Sequence, residues 1–142
     1  DRFAGFKRAM TQFDIPIIKN MVFYQELNAS NARNAMHKLF AKKPYPDAIF
    51  AANDVTALAA VGYAKEVGIS IPNDLKVVGY SNDPRSSIIS PSITTIEQFP
   101  TQIGKVIVTE LLKTLKKGNA EKVTVDYSPI IMPVELIRRM ST

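Results

Sequence analysis

Apolar residues recur every three or four positions in four stretches of the chain, which is the spacing of an amphipathic helix. Residues that cap or break helices stand at the ends of these stretches, as Asn53 and Gly68 do around the third. Helices are therefore predicted over residues 1–13, 28–41, 54–67 and 100–117. The last helix has an apolar stripe of Ile103, Ile107, Leu111 and Leu115. This stripe should be buried, because exposing four such side chains forfeits about 1.5–3 kcal/mol each.

Short apolar runs of the kind that form strands lie between the helices. They cover residues 21–24, 48–51, 76–80 and 94–98, with an alternating stretch over 123–127. The second and third runs indicate strands buried on both faces. Residues 130–136 are extended but contain Pro133, which is typical of an edge or crossing strand. This alternation predicts an α/β fold with a Rossmann-like, mainly parallel sheet flanked by helices.

Composition excludes several classes of protein. The chain has 142 residues and no cysteine, so it can form one domain with a core that needs no disulfides. No run of about 18 apolar residues is present, and no membrane span is expected. The net charge of +5 is spread over separated basic pairs, which does not favour a nucleic-acid interface. A chain that opens at Asp1 on an amphipathic pattern is expected to be part of a longer protein.

Polar side chains follow three predicted strands, at the sheet edge where parallel sheets bind ligands. These candidate binding residues are Asn53, Asp54, Ser81, Asn82 and Gln98. Two alternatives remain open at this point. Asp54 could serve only as a helix cap, and residues 81–83 could be only a polar turn before Pro84.

Arg2 lies in the first turn of the first predicted helix, where a cation opposes the helix dipole at a cost of about a few tenths of a kcal/mol. Such a placement suggests a binding task, for example a two-pronged grip on adjacent hydroxyls or on an acid. The alternative is that the true start of the helix lies upstream of this chain.

No catalytic, metal or cofactor site is predicted. His37 is the single histidine and lies off the apolar stripe of its helix, so no Ser-His-Asp or Cys-His triad is supported. The six glycines form neither a dinucleotide-binding motif nor a P-loop. The acidic residues are scattered without the spacing of metal ligands.

Eight groups of residues, in this order and spacing, resemble one known family. They are Arg2-x-x-Gly5-Phe6, Pro46-Asp47-Ala48-Ile49-Phe50-Ala51-Ala52-Asn53-Asp54, Ala57-Leu58, Gly68-Ile69-x-Ile71-Pro72-x-Asp74, Val77-Val78-Gly79-Tyr80, Pro91-x-Ile93-Thr94-Thr95-Ile96-x-Gln98, Gly104 and Leu136-x-x-Arg139-x-Ser141-Thr142. The chain resembles, over essentially its whole length, the effector-binding core of the lactose-repressor/galactose-repressor (LacI/GalR) family of transcriptional regulators.

The resemblance implies a fold like the C-terminal lobe of type I periplasmic sugar-binding proteins. Residues 1–98 would be that lobe, residues 99–128 a crossing helix and strand of the N-terminal lobe, and residues 129–142 the return and tail. The family's N-terminal DNA-binding domain would lie outside the chain, so operator DNA would be bound only through that missing domain.

The resemblance also assigns roles to single residues. Arg2 matches the family's ligand-gripping arginine, Asn53 and Asp54 match its ligand-contacting pair, and Gln98 matches a position near the hinge and cleft. Ser81 stands where the family usually has an aspartate, and it is followed by Asn82. A serine hydroxyl is a weaker acceptor than a carboxylate.

Three functions are compared on this basis. The first is the effector-binding, dimerising part of a cytoplasmic repressor that binds a sugar or small metabolite, with the helix 54–67 and the segment 84–92 forming a homodimer interface. The second is a soluble sugar-binding protein of a transport system, which shares the fold. The third is a small α/β enzyme, which the sequence favours least because no nucleophile, base or phosphate loop is visible.

Overall fold

The computed structural model describes residues 2–117 and 128–142. In chain order its elements are α1 (Arg2–Gln12), a 3₁₀ helix (Lys19–Met21), α2 (Ala29–Phe40), β1 (Ala48–Phe50), α3 (Asp54–Glu66), β2 (Lys76–Val78), α4 (Arg85–Ile88), β3 (Thr95–Glu97), α5 (Pro100–Lys117) and β4 (Glu135–Ile137).

The chain divides into two compact units. The first consists of residues 1–96 with 136–142, and the second of residues 97–135. The finer division into 1–98, 99–128 and 129–142 stays a prediction.

All four predicted helices are present, and local chemistry explains where they begin. Asn28 caps α2 by accepting from the Asn31 backbone N–H at 2.9 Å. Asn53 caps α3 in the same way from Thr56, also at 2.9 Å. Gly68 follows α3 with φ 76°, a left-handed conformation that ends helices and suits a residue without a Cβ.

The sheet confirms the predicted parallel α/β arrangement. β1 and β2 pair in parallel, with Ala48 opposite Lys76 and Phe50 opposite Val78. A parallel bridge joins Val78 to Thr94, immediately before β3. β3 pairs in turn with β4. The strand order therefore brings the chain segments that follow β1 and β2 to the same edge of the sheet.

The strand predicted over residues 21–24 is wrong. Residues 19–21 form a 3₁₀ turn instead. Val22 does have an extended backbone, with φ −109° and ψ 122°. Extended residues form a strand only when a neighbouring strand pairs with them, and the described residues supply none here.

Burial on both faces of β1 is also wrong. Ala48 and Phe50, which share one face of the strand, are exposed, while Ile49 on the other face is partly buried. The Phe50 ring stacks on Phe6 of α1, with 6.0 Å between centroids. In β2 only Val77 is fully buried.

The core of the first unit lies between α2, α3 and β2. Small residues on α3 let α2 pack closely against it, while larger side chains fill the space toward the sheet. The fully or almost fully buried members are Met36, Ala57, Ala60, Val61, Ala64, Leu75, Val77 and Ile93. Arg33 of α2 also forms a two-pronged ion pair with Glu66 of α3, and this hydrogen bonding lowers the pKa of the Glu66 carboxyl.

The end of the chain is built into the same unit. Ser141 is fully buried, and its hydroxyl donates to the Val77 carbonyl at 2.5 Å and accepts from the Thr94 N–H at 2.9 Å. The Val77 N–H donates to the Ser141 carbonyl at 3.0 Å. The last residues therefore continue the hydrogen bonding of the sheet beside β2.

In the second unit, α5 has its predicted bounds, but most of its apolar stripe is exposed. Ile107, Leu111 and Leu115 are all more than half exposed, so the expected burial of this stripe does not occur in the described residues. The predicted extended region 130–136 contributes only the beginning of β4. The strand predicted over 123–127 lies outside the described residues. No helix in the described ranges is long and apolar enough to span a membrane.

Candidate functional site

Two loops meet at the edge of the sheet where β1 and β2 end. The chain passes from β1 through Ala52 and Asn53 into α3, and from β2 through Gly79 and Tyr80 to Ser81. The Asp54 backbone N–H donates to the Tyr80 carbonyl at 3.0 Å, which ties the two loops together. This is the edge at which the sequence placed its candidate residues.

Arg2 reaches this edge from the first turn of α1. Its guanidinium lies over the Tyr80 ring, with the guanidinium carbon 3.9 Å from the ring centroid, and donates to the Ala52 carbonyl. The cation therefore contacts both loops at once, and its side chain is exposed at the surface. Arg2, Asn53 and Ser81 are thus assembled from three separate parts of the chain.

Asn53 holds the first loop in place. Its Oδ1 caps α3, and its Nδ2 donates to the Leu27 carbonyl at 3.1 Å. The amide thereby joins the start of α3 to the segment before α2. The residue remains partly exposed at the sheet edge.

Asp54 occupies a different place from the expected one. Its side chain is fully buried, with Oδ1 accepting from the Thr95 hydroxyl and Oδ2 from the Asp83 N–H, both at 2.7 Å. Both carboxylate oxygens are thus engaged inside the protein. Asn53, rather than Asp54, caps the helix. Asp54 therefore anchors the loop after β2 instead of lining the surface.

Gly79 makes this burial possible. A Cβ at residue 79 would overlap Asp54 Oδ1 and would come within 3.3 Å of the Ala57 Cβ. The carboxylate can lie against the strand only because residue 79 has no side chain.

The loop after β2 has an unusual backbone. Ser81 and Asn82 have φ values of 113° and 49°, although neither is glycine. The Ser81 N–H donates to the Ile96 carbonyl at 2.9 Å, and Asn82 Oδ1 accepts from Arg139 Nη2 at 2.7 Å. Ser81 is exposed and Asn82 is partly buried, so Ser81 is the residue that faces solvent.

Asp83 completes this loop and caps α4. Its carboxylate accepts from the Arg85 backbone N–H and Nε at 2.9 Å and from Nη2 at 2.7 Å. These hydrogen bonds lower the pKa of Asp83 to about 2. The alternative that residues 81–83 form only a polar turn before Pro84 therefore fits Asp83.

Gln98 belongs to the second unit, between β3 and α5. Its role near the cleft stays a prediction.

Two residues beside the site were missed by sequence reasoning. Tyr80 supplies the aromatic face under Arg2, and its position next to Ser81 was the available signal. Arg139 binds Asn82 from the far end of the chain, and only the motif around residue 139 pointed to it.

The exposed or partly exposed groups at this edge include the Arg2 guanidinium, the Ser81 hydroxyl, the Asn53 amide and the Tyr80 ring, which Arg2 covers. The polar members of this set can donate to and accept from a small polar molecule. The described residues contain no group of three His, Cys, Asp or Glu side chains that could hold a metal ion.

Comparison with known proteins identifies relatives along the whole chain. The sequence profile described as "periplasmic binding protein-like domain" matches residues 1–142. An HTH-type transcriptional repressor PurR from Photobacterium profundum is 30% identical over 141 residues, covering 99% of this chain and 41% of that protein. The chain thus spans about two fifths of the curated relatives it matches.

Solved structures of similar fold include proteins with bound sugars. The transcriptional regulator CelR in complex with cellobiose is 25% identical, with a TM-score of 0.87 over 99% of this chain and 42% of CelR. A LacI family transcriptional regulator from Lactobacillus casei with bound sucrose is 24% identical and shares the fold, with a TM-score of 0.82 over 99% of this chain and 50% of that chain.

Proposed function

The chain belongs to the periplasmic binding protein-like domain family, and from this premise we propose that it is the effector-binding region of a LacI-type transcriptional regulator. The repressor names of its relatives support a regulator over the alternative, a sugar-binding protein of a transport system. A regulator of this kind is not an enzyme, and it acts in the cytoplasm, where its operator DNA lies.

The observation that carries the proposal is the position of Arg2. Its guanidinium contacts the loops after both β1 and β2 at the sheet edge where parallel α/β folds bind ligands. The planar guanidinium can donate two parallel hydrogen bonds to adjacent hydroxyls. Asn53 and Ser81 lie on the two loops that Arg2 joins and are the other first candidates for ligand contact.

The effector we propose is a small, hydroxyl-rich molecule such as a sugar. Polar donors and acceptors suit such a ligand, because its hydroxyls need hydrogen-bond partners. The sugars bound to CelR and to the Lactobacillus casei regulator support this class of ligand. Asp54 and Asn82 act through the loop they hold, and Gln98 is a further candidate contact.

The remaining partners follow from the same proposal. Operator DNA would be bound by the part of the regulator that lies outside this chain. Residues 54–67 and 84–92 would form a homodimer interface, with the same surfaces on both subunits. Residues 1–98 would form the C-terminal lobe, and residues 99–128 and 129–142 would connect it to an N-terminal lobe.

A thermal-shift screen of the intact regulator tests the function. Cellobiose, sucrose and a panel of other small sugars and polar metabolites are added singly at increasing concentration. A ligand that binds only the folded state stabilises it by about 2.7 kcal/mol at one hundred times its Kd. We expect at least one compound to raise Tm in a concentration-dependent way and to change operator binding. Shifts from none of them, or shifts without any effect on operator binding, would contradict the proposal.

A further inference from the structure

The loop that carries Ser81 is held in an unfavourable backbone conformation. Ser81 and Asn82 are consecutive non-glycine residues with left-handed φ values. Such conformations persist only where the surrounding structure fixes them. Asn82 is fixed through its side chain, whose Oδ1 accepts from Arg139 Nη2 at 2.7 Å.

The other terminal nitrogen of the Arg139 guanidinium binds a different segment of the chain. Arg139 Nη1 donates to the Ser86 hydroxyl and to the Ile93 carbonyl, each at 2.9 Å. Ser86 is fully buried in α4, and its hydroxyl donates to the Asp83 carbonyl at 2.6 Å. One planar guanidinium thus joins Asn82 beside the proposed effector site to Ser86 within the segment 84–92 and to Ile93 just after it.

Arg139 is itself firmly anchored. Its backbone N–H donates to the Thr94 hydroxyl at 2.9 Å. Two residues later, Ser141 is fully buried and hydrogen-bonded to Val77 and Thr94. Arg139 is therefore an anchored, planar group that contacts Asn82, Ser86 and Ile93 at once.

We infer that Arg139 is a positioning residue that couples the loop at residues 81–83 to the segment 84–92. A ligand that shifts Ser81 and Asn82 would change the packing of this segment through the Arg139 guanidinium. The inference rests on the proposed function for its biological meaning, since that function places the effector on one side of Arg139 and the subunit interface on the other. The coupling itself is a property of the folded protein without ligand.

A double-mutant cycle on the intact protein measures this coupling. The variants are Asn82→Ala, Arg139→Lys and both together, with Arg138→Lys as the matched control on the neighbouring exposed arginine. Backbone hydrogen exchange is followed at Ser86, whose N–H donates to Asp83 at 2.8 Å, and at Ile93, whose N–H donates to Ser86 at 2.7 Å. Exchange in α2 and α3 reports global unfolding separately.

We expect Asn82→Ala to raise exchange at Ser86 and Ile93 by about tenfold in the wild-type background, because it removes a bond to a charged donor. In the Arg139→Lys background the same change should add less than about twofold, since the connection is already broken. Arg138→Lys should leave exchange unchanged. Equal effects of Asn82→Ala in both backgrounds would overturn the inference, because additive effects mean that Asn82 acts on Ser86 and Ile93 without Arg139.

Asn82→Asp keeps the test decisive if Arg139→Lys fails to fold. A carboxylate at residue 82 retains the acceptor for Arg139, so exchange at Ser86 and Ile93 should stay near the wild-type rate. If Asn82→Asp and Asn82→Ala raise exchange equally, Arg139 does not carry the coupling. Because these measurements use no effector, they can fail or succeed independently of the thermal-shift screen.

Discussion

At Gly79 the backbone passes so close to Asp54 that a Cβ would overlap the Oδ1 atom of that carboxylate. Asp54 in turn receives hydrogen bonds from the Thr95 hydroxyl and the Asp83 N–H. The geometry of the loop after β2 therefore depends on the absence of one methyl group. Any side chain at residue 79 must displace a buried, fully bonded carboxylate.

Gly79→Ala should lower the free energy of unfolding by about 1–3 kcal/mol, the usual cost of inserting a methyl group into a packed interior. Urea denaturation of the purified protein measures this. Gly5→Ala is the control, because nothing lies within 4 Å of a Cβ at residue 5 in α1. Alanine in a helix interior is more stable than glycine by about 0.5–1 kcal/mol, so the control should gain stability. A Gly79→Ala protein as stable as wild type would contradict the placement of Asp54.

Arg2→Ala should weaken effector binding by about 1.5–3 kcal/mol, because it removes charge-assisted hydrogen bonds. Arg2→Lys should also bind weakly, since a single ammonium cannot reproduce the two parallel donors. Calorimetry with a sugar from the thermal-shift screen provides the measurement. Arg8→Ala, which removes an exposed arginine of the same helix, should bind normally. Normal binding by Arg2→Ala would show that the effector occupies another place.

At the scale of the element, α4 depends on the residue that precedes it. Pro84 makes no side-chain cap at the start of α4, and the Asp83 carboxylate instead accepts from the backbone and side chain of Arg85. This hydrogen bonding lowers the pKa of Asp83 from its ordinary value of 3.8 to about 2. The short helix is thus fixed by a charged group whose state depends on pH.

The contribution of this pair to stability should be lost in acid. Because the pKa of Asp83 is lower in the folded state, its contribution is complete above about pH 3.8 and disappears as the pH falls through about 2. The stability difference between wild type and Asp83→Asn, followed by denaturation against pH, should shrink across this window. The stability difference between wild type and Arg85→Gln should shrink across the same pH window. A difference that stays constant down to pH 2 would contradict the pairing.

At the scale of the whole molecule, the segment 84–92, which contains α4, presents apolar surface to solvent. Ile88 is 81% exposed, and Val67 beyond the end of α3 is 51% exposed. Side chains of this size contribute about 1.5–3 kcal/mol each when fully buried. Both belong to the surfaces proposed for the homodimer.

Ile88→Asp should therefore convert a dimeric regulator into a monomer, because a charge buried at a two-fold interface appears in both subunits. Sedimentation velocity over a range of concentrations measures the change. Thr11→Asp places the same charge on the exposed surface of α1 and should leave the dimer intact. A wild-type protein that stays monomeric at every concentration would remove the proposed interface.

The sequence by itself determined the four long helices and the class of fold, but not α4 or the 3₁₀ helix. Local signals suffice for helices, because capping side chains such as Asn28 and Asn53 and terminating glycines act within a few residues of chain. The alternation of helices with apolar runs likewise predicted a parallel sheet. Arg2 contacts Ala52 and Tyr80, the residues just before the candidates Asn53 and Ser81, and the role of these three residues in ligand binding stays a prediction.

Only the tertiary structure decided which extended segments pair and what each polar side chain does. Residues 21–24 read as a strand, but pairing depends on a neighbour that is distant in sequence. Asp54 read as an exposed ligand contact or a cap, yet Thr95 and Asp83 surround it, 41 and 29 residues away along the chain. Arg139 reaches Asn82 across 57 residues. Burial and hydrogen bonding between distant residues come from packing, and a linear pattern does not contain them.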